Sequence, residues 1–172
     1  MSSDEYVDML VRIDHQELLH TYIDDRIRNN MDDVRKFIHP LIAYTNGQEI
    51  LRIYMRNNAL QFTMDDLEFA CSKLNASVVQ EIVNSNILPN EKCIESVFQY
   101  VNAHNAYQYP KSVCHIIAIF IHCGCTIPEH ILRRVLRCAQ NMSTADMQAI
   151  YKYGFTSPDV NNPIPNKIPD SD

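Results

Sequence analysis

Apolar residues in this chain recur at helical spacing and nowhere alternate in sustained steps of two. Val34, Phe37, Ile38, Leu41 and Ile42 fall at i, i+3, i+4, i+7 and i+8, the positions that share one face of an α-helix. Ile50, Leu51, Tyr54 and Met55 repeat the pattern, as do Val78, Val79, Ile82 and Val83, and then Ile116, Ile117, Phe120 and Ile121. A half-buried strand needs period-two alternation, so the expectation is an all-α fold. Glycine supports this. A sandwich or barrel needs many turn positions with positive φ, and the chain has only three glycines.

Short polar stops punctuate the helical stretches. They read Arg56-Asn57-Asn58-Ala59, Asn84-Ser85-Asn86-Ile87, His122-Cys123-Gly124-Cys125 and Tyr151-Lys152-Tyr153-Gly154-Phe155. Asn and Gly tolerate the left-handed conformation that ends a helix, and an inward-turning residue commonly follows. Helix-start signals come next. Thr63 precedes Asp65 and Asp66, Pro89 precedes Glu91, and Thr126 precedes Pro128 and Glu129. Polar caps, first-turn proline and early acids all suit a helix N-terminus. The stops recur at intervals of roughly 30 residues, the scale of a helix-pair repeat. One interval is longer because Asn102–Pro110, Asn-Ala-His-Asn-Ala-Tyr-Gln-Tyr-Pro, reads as an inserted loop. Upstream, Val7, Leu10 and Val11, then Leu18, Leu19, Tyr22 and Ile23, mark one or two amphipathic helices.

Residues 65–87 resemble an ankyrin repeat. Asp65-Asp66-Leu67-Glu68-Phe69-Ala70-Cys71 stands where that family has Thr-Pro-Leu-His-x-Ala-Ala, and Val78-Val79-Gln80-Glu81-Ile82-Val83 where it has Ile-Val-x-x-Leu-Leu. Asn86-Ile87 replaces the closing Gly-Ala. The Thr-Pro-Leu-His tetrapeptide is missing, and Leu74 stands where the family has the glycine between its two helices. The likeness extends loosely over residues 32–155, with one unit aligning cleanly. The Asn-rich helix ends and Ile87-Leu88-Pro89-Asn90-Glu91-Lys92-Cys93 are similar to divergent ankyrin-like proteins of large DNA viruses. The resemblance implies a short solenoid of antiparallel helix pairs, a degenerate ankyrin-like array. It also implies a binding scaffold for proteins, without an active site. The expected organisation is an N-terminal helical cap over 1–30, a helix-hairpin repeat domain over 31–155, and a C-terminal arm over 156–172. Pro158, Pro163, Pro165 and Pro169 bar the arm from forming one helix, so it is expected to be extended.

The formal net charge of -6 argues against a general nucleic-acid binder, which needs a positive surface. Arg133, Arg134 and Arg137 make the densest basic cluster and read as the solvated face of a helix. The start, Met1-Ser2-Ser3-Asp4-Glu5, lacks the basic and apolar regions of a signal peptide, and Ile116–Ile121 is far too short to cross a bilayer. The expectation is therefore a soluble intracellular, cytoplasmic protein, or a component of a virion, with no nucleic-acid or membrane partner.

Zinc is the sharpest chemical alternative. Cys114, His115, His122, Cys123, Cys125 and His130 lie close in sequence, with Cys138 beyond. Zinc takes four thiolate or imidazole ligands in a tetrahedron, commonly from a C-x-x-C pair. Here the pair is C-x-C, and Cys114 and His122 would lie about two helical turns apart. Free buried thiols are the plainer reading. A cysteine–histidine catalytic pair is disfavoured, because the side chains of Cys114 and His115 diverge on a helix. The acid pairs Asp24-Asp25, Asp32-Asp33 and Asp65-Asp66 read as helix-start charges and solvated faces. No phosphate loop, dinucleotide fingerprint or nucleophile elbow is present. The expectation is thus no enzyme, no cofactor and no metal. Candidate partner contacts are His104, Tyr107 and Tyr109 in the inserted loop, with Pro163 and Pro165 in the arm. Exposed tyrosine is common at protein interfaces. The same loop would look alike if it only closed over its own helices. The second functional expectation is a structural part of a viral particle or other assembly, tied to its neighbours by the arm.

Overall fold

The computed structural model describes residues 2–13, 15–29, 35–43, 51–52, 56, 61–104, 110–137 and 142–156. Among these residues there is no strand, and the fold is all-helical. The described helices are α1 (Ser3–Arg12), α2 (Gln16–Arg28), α3 (Arg35–Ala43), α4 (Met64–Ser72), α5 (Ala76–Asn84), α6 (Glu91–Ala103), α7 (Lys111–His122), α8 (Glu129–Leu136) and α9 (Thr144–Thr156). The chain divides into two compact units, Met1–Ile87 and Leu88–Asp172. The proline-rich segment from residue 157 onward lies outside the described residues, as do Val34, Ile50, Tyr54, Met55, Asn57 and Asn58.

In the first unit, α1 opens with a reciprocal cap. The Glu5 amide donates to Ser2 Oγ at 3.2 Å, and the Ser2 amide donates to Glu5 Oε2 at 2.7 Å. This is a capping box, which satisfies donors that a helix start otherwise leaves bare. Helix α1 packs on α2 and α3, and α3 packs on α4. Val7 and Leu10 of α1 are buried with Leu19 and Ile23 of α2, and Tyr6 meets Tyr22 edge to face at 4.7 Å. The quartet Phe37, Ile38, Leu41 and Ile42 of α3 is wholly buried, as its spacing predicts. Each such side chain contributes about 1.5–3 kcal/mol relative to exposure.

Helices α4 and α5 pack on each other across a short turn, and that turn is the least expected feature of the unit. Leu74 has φ of 55°, the left-handed region. Its amide donates to Cys71 O at 3.0 Å, and the Asn75 amide donates to Ala70 O at 3.0 Å. Those two bonds make a complete Schellman cap, with leucine where glycine usually sits. Asn75 then starts α5 by accepting from the Val78 amide through Oδ1 at 3.3 Å. Its Nδ2 donates to Ile42 O of α3 at 2.8 Å. A left-handed leucine is strained, and a β-branched side chain there is worse. Leu74→Gly exchanges that strain for extra freedom in the unfolded chain and should leave stability within about 0.5 kcal/mol. Leu74→Val should cost about 1–2 kcal/mol. Urea midpoints of the two variants check this order.

The second unit is built round α7. Val113, Cys114 and the run Ile116–Phe120 are buried, so α7 is covered on nearly every side, as an almost uniformly apolar helix must be. Helix α9 packs on α7 and α8, and α6 packs on α7 and α8. Cys93, Val97 and Val101 of α6, Ile131, Leu132 and Val135 of α8, and Ile150 of α9 complete the core. Polar links also tie these helices. The Ile127 amide ahead of α8 donates to the Tyr153 hydroxyl of α9 at 2.8 Å. Arg134 Nη1 donates to Val101 O at 3.1 Å and to Asn102 O at 3.3 Å, closing the C-terminal end of α6.

Two stops behave as the sequence implies. Asn86 has φ of 65° and Gly124 has φ of 79°. Gly154 does not end a helix. It is buried inside α9, which runs on to Thr156.

Candidate functional site

Two clusters of chemically capable side chains stand out, one in each unit. In the first, Asp66 of α4 is completely buried. Thr63, the residue at the start of α4, donates its amide to Asp66 Oδ2 at 2.8 Å and its hydroxyl to the same oxygen at 3.1 Å. Arg35 of α3 grips the carboxylate with both terminal nitrogens, at 2.7 and 3.0 Å, and also donates to Gln61 O at 3.0 Å. His39, one turn along α3, places Nε2 3.2 Å from Asp66 Oδ1 and stacks on Phe69 at 4.2 Å, with the rings 3° apart. Lys73 lies 5.4 Å from the other partner of that stack, the Phe69 ring centroid. Asp66 is thus a helix-start acid, as its position suggests, but a buried and coordinated one in place of a solvated one. A carboxylate can stay buried only when its oxygens are met this way.

In the second unit, His115 of α7 donates Nδ1–H to Asp146 of α9, at 3.0 Å from Oδ1 and 3.1 Å from Oδ2. Asp146 in turn takes its place through the start of α9, where its amide donates to Ser143 Oγ at 3.1 Å. The imidazole ring is half-exposed beside this carboxylate. The neighbouring Cys114 is buried, so the two adjacent side chains do diverge.

The described residues of the Cys/His-rich stretch lie in different environments. Among the described residues there is no group of three or more His, Cys, Asp or Glu placed to hold a metal ion. His122 and His130 are exposed, Cys114 is buried, and Cys123 and Cys125 are half-buried. Cys138 lies outside the described residues. Burial pushes the Cys123 thiol above its ordinary pKa. Burial does the same at Cys125, where the neighbouring Cys123 and Cys93 thiols add to it.

Of the residues expected to contact a partner, His104 is described. It is exposed at the end of α6, donates Nδ1–H to Tyr100 O at 2.9 Å and stacks on the Tyr100 ring at 4.0 Å. Tyr107, Tyr109, Pro163 and Pro165 lie outside the described residues. The basic cluster divides three ways. Arg133 pairs with Glu129 one turn back, Arg134 caps α6, and Arg137 is exposed. Sequence reasoning did not single out Met9 or Ile13, and it counted Leu18 with the apolar pattern of the second N-terminal helix. The three are 37%, 58% and 46% exposed near the turn between α1 and α2. Among the described residues, no helix is long and apolar enough to cross a membrane. Comparison of the chain with protein-family models, with curated proteins and with solved structures finds no match.

Proposed function

We propose that this chain is a non-catalytic scaffold that binds protein partners through the outer side chains of its helix pairs. The supporting observation is the exposure of Met9, Ile13 and Leu18 beside the α1–α2 turn, three large apolar side chains close together in sequence and open to water. Clustered exposed apolar side chains are what a protein partner covers. The ionisable groups point the same way. The buried Asp66 is coordinated by Arg35, His39 and Thr63, a structural use of a carboxylate. In this reading the α4–α5 pair is the repeating unit of a short solenoid, and residues 156–172 form an extended arm. The loop with His104, Tyr107 and Tyr109 and the arm with Pro163 and Pro165 supply further contacts.

The test is capture of partners from the native source by the full chain and by three variants. These are Ile13→Lys with Leu18→Lys, Tyr107→Ala with Tyr109→Ala, and a chain ending at Thr156. Each double substitution should weaken a captured partner by more than about 1 kcal/mol, roughly fivefold in Kd, as central interface residues do. Loss on truncation alone would shift the reading to an assembly component held by its arm. Binding unchanged in all three would end the scaffold reading as stated.

A further inference from the structure

We propose that Cys123 and Cys125 form a redox-active dithiol, a modification site that a low-molecular-weight disulfide such as glutathione disulfide converts to an intramolecular disulfide. Both cysteines are free and half-buried, whereas Cys71, Cys93 and Cys114 are buried. They flank the turn that ends α7. Cys123 is the last residue with helical dihedrals, and Gly124 follows at φ of 79°. The Gly124 amide donates to Ile121 O at 3.0 Å and the Cys125 amide donates to Phe120 O at 2.9 Å, a complete Schellman cap. A right-handed residue followed by a left-handed one curls the backbone, and this one is held in that curl by both bonds. The two cysteines stand two residues apart across this turn, and the Cys125 thiol, raised first by burial, is raised further by Cys123 and by Cys93. A Cβ built on Gly124 would meet nothing within 4 Å, so the face of the turn between the two cysteines is open to a small reagent.

The chemistry balances with the named oxidant. One cysteine thiolate attacks a sulfur of glutathione disulfide, forms a mixed disulfide and releases one glutathione thiolate, which takes up a proton. The second cysteine loses its proton, attacks the protein sulfur of the mixed disulfide and releases the second glutathione. Two protein thiols become one disulfide, and one glutathione disulfide becomes two glutathione thiols. Because burial keeps the resting pair as thiols, the reduced form gains no stabilisation from thiolate character. That is the reverse of a strongly oxidising dithiol, whose thiolate is stabilised.

The full chain is equilibrated with a mixture rich in glutathione disulfide, blocked by alkylation and mapped by peptide mass. The expected product is a peptide spanning Cys114, Cys123 and Cys125 that has lost two hydrogens, with the bond placed between Cys123 and Cys125 by fragmentation and Cys114 alkylated after denaturation. Cys93→Ser and Cys114→Ser should form it. Cys123→Ser and Cys125→Ser should instead stop at a glutathione adduct on the remaining thiol. Complete alkylation of both cysteines in the native sequence, a stable adduct without closure, or a bridge to Cys93 would each overturn the proposal. The wild-type map decides this even where a serine variant folds poorly.

Discussion

Replacing Arg35 by methionine should destabilise the first unit by about 3 kcal/mol, more than replacing its partner Asp66 by asparagine. The two ends of this ion pair differ in exposure. The Asp66 side chain is 0% exposed, and the Arg35 side chain is 39% exposed. Without Arg35, a buried carboxylate keeps Thr63 and His39 but loses its bidentate partner, and the chain cannot return that charge to water without opening α4. Without the Asp66 charge, Arg35 can turn outward, because part of its side chain already meets solvent. Asparagine also retains an oxygen that can accept from the Thr63 amide, so the helix start survives. Asp66→Asn should therefore cost about 1–2 kcal/mol. Amide hydrogen exchange over residues 64–72 reads the effect locally, and the urea midpoint reads it globally. Equal costs for the two variants would mean that the pair behaves as a surface contact.

The same pair shows where sequence reading stops. The buried quartet of α3 and the buried Val78, Val79 and Ile82 of α5 were legible because helical periodicity is a local signal that burial must obey. Asn86 and Gly124 were legible for a similar reason, since their residue types suit the left-handed backbone they adopt. Leu74 adopts the same conformation against its preference. Nothing local marks it, because the Asn75 contacts to α5 and α3 hold the turn in place. Gly154 misled in the opposite sense, since a glycine can sit inside a packed helix as well as beyond its end. The burial of Asp66 and the pairing of Asp146 were not legible, because their partners, Arg35 and His115, are each 31 residues away. A charge pattern on one helix carries no information about a cation on another.

That limit also explains why the candidate sites were only partly legible. His104 is recognisable as a loop-edge residue, but its stacking on Tyr100 follows from the helical spacing of the two positions and not from a partner. The Cys/His-rich stretch offered zinc as an alternative to free thiols because seven potential ligands are close in sequence. On and around α7 the described ones separate, with Cys114 buried, His115 beside Asp146 and His122 exposed. Closeness along a helix spreads side chains round its axis, so a dense sequence motif can dissolve on folding.

Phe120→Ala should be the most damaging single change in the second unit, costing about 3–5 kcal/mol. Phe120 has no exposed surface and lies on α7, the helix against which α6 and α9 pack. Truncation removes the apolar transfer energy of the ring and leaves a cavity that neighbours on several helices must fill by moving together. Phe120 also supplies the carbonyl that receives the Cys125 amide, so displacement of its backbone loosens the cap at the end of α7. Phe120→Leu keeps much of the volume and should cost about 1–1.5 kcal/mol. Ile121→Ala, at the half-exposed next position, should fall well below the alanine value at 120. The three variants separate core packing from helix propensity, because alanine is the best helix former and would stabilise α7 if propensity decided the outcome. Thermal unfolding followed by circular dichroism, with hydrogen exchange over residues 111–122, measures the order. A Phe120→Ala protein as stable as the wild type would mean that α7 is not the centre of this unit.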